Sequence, residues 1–91
     1  MKRKDINNPE TWKVKLNNSL HQVIYEYMDK HGLKKQDMAK KLNISKSAMS
    51  QLLKSDGNHS ISKIVELSMY FNKVPIITFV DLNEYIKIEE K

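Results

Sequence analysis

The sequence predicts a mainly α-helical domain of four helices, the second and third joined by a tight turn, followed by a C-terminal β-strand or hairpin. Three observations carry this expectation. Apolar residues recur at helical spacing from Trp12 to Met28 and again from Met38 to Phe71. Each block is bounded by residue types that start or stop a helix. The period then changes at Val74, where β-branched residues run together. These shifts divide the chain into a flexible basic arm over residues 1–8, a helical domain over 9–73 and a strand and tail over 74–91.

Asn8-Pro9 opens the first helix, because Asn can cap and Pro is tolerated at the first helical position. Trp12, Leu16, Leu20, Val23, Ile24, Tyr27 and Met28 continue it to near His31, and Gly32 suits the left-handed position that ends it. The second helix is expected over Lys34–Leu42, with Met38, Ala39 and Leu42 inward. Asn43 then takes a left-handed turn, as Asn does more readily than most residues, and Ile44 plugs that turn. Ser45 caps a third helix over Lys46–Leu53, and Ser60 caps a fourth over Ile61–Asn72. The apolar positions expected of the third are Ala48, Met49, Leu52 and Leu53. Ile61, Ile64, Val65, Leu67, Ser68 and Phe71 are expected on or beside the inner face of the fourth. Val74–Val80 reads as a strand, with Pro75 keeping it from the centre of a sheet. Tyr85–Ile88 reads as a second short strand, and residues 81–84 as the turn between them.

With 91 residues the chain holds one small core, so self-association would add stability. It has no cysteine, which excludes disulfides and thiolate metal sites, and His21, His31 and His59 have no ligand spacing. No cofactor is expected. No apolar run approaches the roughly 18 residues that cross a bilayer, and no secretory signal follows the basic start; a cytoplasmic protein is expected. No Ser/His/Asp set has a structural logic, so an enzyme is not expected. The net charge is +5, and its distribution is informative. Residues 33–54 hold six lysines and one acid, Asp37, and so carry the whole net charge. Such a segment suits a polyanion.

Within that segment two short helices flank a turn, and the second begins with small polar residues. Ala39 permits a close crossing, while Ile44, Met49 and Leu52 seat the second helix. Lys46, Ser47, Ser50 and Gln51 are left outward. Small side chains let a helix enter a major groove about 12 Å wide, where Gln can pair with adenine and Lys can reach guanine. The run from Leu33 through Ala39, Asn43, Ile44, Met49 and Leu52 to Leu53 resembles the helix-turn-helix of the phage-repressor family, the Cro-like or XRE type. Asn43 stands where that family has Gly, and Lys35 where many members have Gln.

The resemblance covers about residues 18–73 and implies a lambda-repressor-like fold and sequence-specific binding of double-stranded DNA. Lys34, Lys35, Lys46, Ser47, Ala48, Ser50, Gln51 and Lys54 are then the expected contacts, with Gln51 and Lys46 reading bases and Lys35 and Lys54 holding phosphates. The expected role is a transcriptional regulator, a repressor acting as a homodimer on a near-palindromic operator. The alternative is an antitoxin-like module that binds a toxin or another protein partner and autoregulates its operon; some antitoxin-like members of the family carry a C-terminal strand. Ile76, Ile77, Phe79 and Val80 are the expected dimer contacts, with the strand paired to its twofold mate. The rival arrangement is a strap over the first helix.

Overall fold

The computed structural model describes residues 6–89. Among them are five helices: α1 Pro9–Lys30, α2 Lys35–Lys41, α3 Lys46–Leu52, α4 Ile61–Tyr70 and α5 Leu82–Glu89. Residues 1–5 of the expected basic arm lie outside the described residues. Ile6 is buried, and its carbonyl accepts a 2.7 Å bond from Trp12 Nε1.

The starts of the helices follow from side-chain caps. Asn8 Oδ1 accepts from the Glu10 amide, Ser45 Oγ from that of Ala48, and Ser60 Oγ from that of Lys63. Lys34 has no accepting group; instead Asp37, three residues on, takes the Lys34 N–H at 2.9 Å. Each such cap satisfies one of the orphan amides of a first turn.

Three helices end by one device. Gly32, Asn43 and Asn72 sit at φ near +60°, and the following amide reaches back five residues. Leu33 N–H bonds Met28 O, Ile44 N–H bonds Ala39 O, and Lys73 N–H bonds Ser68 O, at 2.8–2.9 Å. This is the Schellman closure, which reverses the chain after a helix and occupies its last carbonyls. Asn43 and Gly32 were legible as turn residues. Asn72 was not, and α4 stops short of the predicted end.

The core collects one stripe from each of the first four helices. Leu20, Ile24 and Met28 of α1 meet Met38 and Ala39 of α2, Met49 and Leu52 of α3, and Leu67 and Phe71 at the end of α4. The small Ala39 lets α2 and α3 approach closely. Leu16, Ile61 and Val65, assigned inward by periodicity, are exposed. The inner face of α4 is set by Ile64, Leu67, Ser68 and Phe71, which leaves Val65 outward, and Ile61 in the first turn lies beyond the core.

The C-terminal β-strand or hairpin predicted from composition is absent from the described residues. Residues 74–81 have no regular secondary structure and take part in no ladder, and residues 82–89 are helical. The reason is that β-branched composition favours an extended chain without providing a partner edge, and the other described elements of this chain are helices. Tyr85–Ile88 is helical because Asp81 starts a helix: its carboxylate accepts from the Asn83 amide and its carbonyl from that of Tyr85. Glu84 lies in the first turn and Lys87 in the last, as the helix dipole favours. Tyr85 also meets Trp12 edge-on, with centroids 5.1 Å apart.

Candidate nucleic-acid interface

The segment that holds the excess lysines folds as α2, the Asn43 turn and α3. Met49 and Leu52 are buried, which fixes the rotation of α3 and turns Lys46, Ser47, Ala48, Ser50 and Gln51 outward. Lys34, Lys35 and Lys54 are likewise exposed, with Lys54 beyond the end of α3.

Four of the predicted contacts share one concavity of about 470 Å³ between the starts of α2 and α3. Lys34, Lys35, Lys46 and Ser50 line it, with Gln36 and the edge of Met49. No acidic residue is among its lining. The acid nearest in sequence, Asp37, is engaged by the Lys34 amide. Three ammonium groups therefore face solvent around two neutral hydrogen-bonding side chains, a composition suited to an anionic polymer with readable edges. Ser47, Ala48, Gln51 and Lys54 are exposed on or after α3 but lie outside this hollow.

Gln36 was not among the residues singled out from sequence. Its place in the first turn of α2 beside Lys35 is legible in the sequence, but its approach to the start of α3 depends on how the two helices cross.

A second layer holds α3 from behind, and it too was missed. Asn17, only 5% exposed, donates from Nδ2 to the carbonyls of Ser55 at 2.9 Å and Gly57 at 2.7 Å. His21, 6% exposed, lies 2.9 Å through Nε2 from the carbonyl of Leu52, the last residue of α3. A carbonyl can only accept, so Nε2 carries the hydrogen. Burial pushes the His21 pKa below the ordinary histidine value; the bond to Leu52 opposes this and nearby His59 adds to it. The loop closes tightly, since a Cβ on Gly57 would lie 3.0 Å from Lys54 O and 3.1 Å from His59 Nε2. The sequence signal was two polar residues, Asn17 and His21, on the stripe that also carries Ile24 and Met28.

The predicted dimer contacts lie elsewhere. Ile76, Ile77, Phe79 and Val80 are exposed in the segment between α4 and α5. That segment runs beside α1 and α4, sharing a groove with Leu16, Leu20, Val23 and Ile64. Among the described residues, no helix is long and apolar enough to cross a membrane.

Compared with known families, residues 3–68 match the helix-turn-helix domain family, a span well over half of the chain. No curated protein and no solved structure matches the chain.

Proposed function

Because the chain belongs to the helix-turn-helix domain family, we propose that it binds double-stranded DNA sequence-specifically and regulates transcription, as a homodimeric repressor on a near-palindromic operator. One observation carries this reading: the acid-free hollow between α2 and α3, with Lys34, Lys35 and Lys46 around Gln36 and Ser50. Lysines at the rim neutralise phosphates and release counterions, which supplies affinity without sequence preference. Polar side chains on the outward face of α3 meet base edges, which supplies preference. Lys34, Lys35 and Lys54 are assigned to phosphates; Lys46, Ser47, Ser50 and Gln51 are assigned to the groove, with Ala48 offering apolar contact to a thymine methyl group. Catalysis has no part in this function.

A duplex selected from a random library provides the test. On it, Gln51→Ala costs about 1–3 kcal/mol and relaxes preference at one base pair. Lys35→Ala weakens every duplex alike and lowers the slope of log K against log salt by about one. A Gln51→Ala variant that loses the same affinity for all duplexes would remove Gln51 from base reading. No enrichment of any duplex by the wild-type protein would sink the reading itself.

A further inference from the structure

The surface formed by α1, the segment of residues 74–81 and α5 is not explained by DNA binding. Residues 74–80 contain no charge, and their large side chains are turned outward: Ile76 is 83% and Phe79 97% exposed. Soluble monomers rarely leave a contiguous apolar patch beyond a few hundred Å². One aromatic side chain alone can bury ~150–250 Å², and Val74, Ile76, Ile77, Val80 and Leu82 are exposed beside this one.

Next to Phe79 is a groove of about 450 Å³ whose walls are Trp12, Leu16, Ile77, Phe79, Val80 and Tyr85, with Thr78. No charged residue lines it. A projecting ring and a hollow large enough to take one therefore lie side by side on the same face. The geometry points to a second copy of this chain as the occupant, the Phe79 ring of each protomer seated in the groove of the other.

Two features favour a second copy over other occupants. A twofold contact requires a self-complementary surface, and an adjacent knob and hollow meet that requirement. The ends of the apolar run are also oppositely charged, with Lys73 before it and Asp81 after it. When two copies face each other about a twofold axis perpendicular to the run, the two runs are antiparallel, and each Lys73 approaches the partner's Asp81. An anionic membrane is disfavoured, because Asp81 and Glu84 flank the far end, where a lipid surface would call for lysines. The contact is made by side chains and needs no strand ladder. It deepens the homodimer part of the reading above but does not rest on duplex binding.

Sedimentation equilibrium of the full chain between about 1 and 100 µM tests it, with wild type, Phe79→Asp, Leu16→Asp and Ile61→Asp compared. Phe79 touches little within its own chain, so its variant keeps the wild-type helicity and melting midpoint, which circular dichroism verifies. The wild type is expected to dimerise, and Phe79→Asp and Leu16→Asp each to weaken association at least thirtyfold, roughly the loss of one interface hot spot. Ile61→Asp, also exposed but outside the groove, is expected to leave association unchanged. A wild type monomeric throughout the range overturns the proposal, as does a Phe79→Asp variant that dimerises like wild type. Duplex binding measured on the same samples separates the two claims: a dimer that selects no duplex counts against the regulatory function alone.

Discussion

Asn43 is the residue on which the α2–α3 angle depends. At φ +57° it occupies the left-handed region, and its neighbour Ile44 closes onto Ala39 O. Asn tolerates this conformation; a β-branched residue does not. Asn43→Val is expected to cost about 1–2 kcal/mol, while Asn43→Gly is neutral or slightly stabilising. Thermal melts resolve this, since 1 kcal/mol moves the midpoint of a domain this size by about 4–8 °C. An unchanged midpoint for Asn43→Val would show that the turn relaxes to another conformation. His21 offers a second residue-scale expectation. Its folded pKa is depressed by burial, so the unfolded chain binds more protons below the ordinary histidine value of about 6.5. Stability from this residue is full above that pH and is lost as pH falls from it through the lowered folded value. Melting midpoints should therefore drop between pH 7.5 and 5 more in wild type than in His21→Gln, which keeps a donor but does not titrate. Equal drops would assign the acid sensitivity to other groups.

At the scale of elements, α1, α3 and α4 were legible because each has both a period and a cap, and α2 through its apolar positions and the Asn43 turn that ends it. Asn8-Pro9, Ser45 and Ser60 mark starts that the side-chain bonds reproduce within a residue. Ends are less legible: α4 closes at Asn72 through the same left-handed turn as α1 at Gly32 and α2 at Asn43, yet Asn72 is not marked as a turn residue in the sequence. The C-terminal misreading has a specific cause. Tyr85-Ile86-Lys87-Ile88 alternates like a strand, but Asp81 with Glu84 three residues later is a helix-start signature. The cap decides, because a helix satisfies its own backbone, whereas a strand must borrow an edge that the described residues do not supply. Half of the candidate site was readable in the same way. The outward face of α3 follows from Met49 and Leu52 being inward, so its exposed residues were identifiable. The hollow was not, because it depends on how two helices cross, and so Gln36 went unnoticed. The partners of Asn17 and His21 are backbone carbonyls distant in sequence, in the loop after α3 and at the end of α3, and these leave no mark in residue types.

The whole molecule is longer than its chain length requires. The radius of gyration is 15.2 Å and the extents are 43 × 24 × 23 Å, against about 12 Å for a compact domain of this size. The 22-residue α1 spans about 33 Å; residues 74–77 share a groove with its Leu16, Leu20 and Val23, and α5 meets it through Tyr85 against Trp12. Charge is divided along the same chain: the lysines gather in α2 and α3, and the apolar surface begins after α4. The two faces thus belong to different segments, so substitutions on one can be tested without touching the other.

The clamp by Asn17 has a further consequence, a kinetic one. Most ties in this fold are short in sequence: helix turns, caps and the reversals at Gly32, Asn43 and Asn72. The Asn17 bonds instead span 38 and 40 residues. Closing such a long loop costs entropy that only an already assembled chain can offset, so these bonds form after the rate-limiting barrier. Asn17→Ala should then leave the folding rate near that of wild type. Losing about 1–3 kcal/mol from the native state would appear almost wholly as unfolding roughly 5- to 150-fold faster. Stopped-flow chevrons read both limbs, and a slowed folding limb would place the clamp in the nucleus instead. Late formation implies early release: under denaturant or mechanical load, the loop behind α3 would let go first, and the helix that carries Lys46 and Gln51 would lose its aim while α1 was still intact.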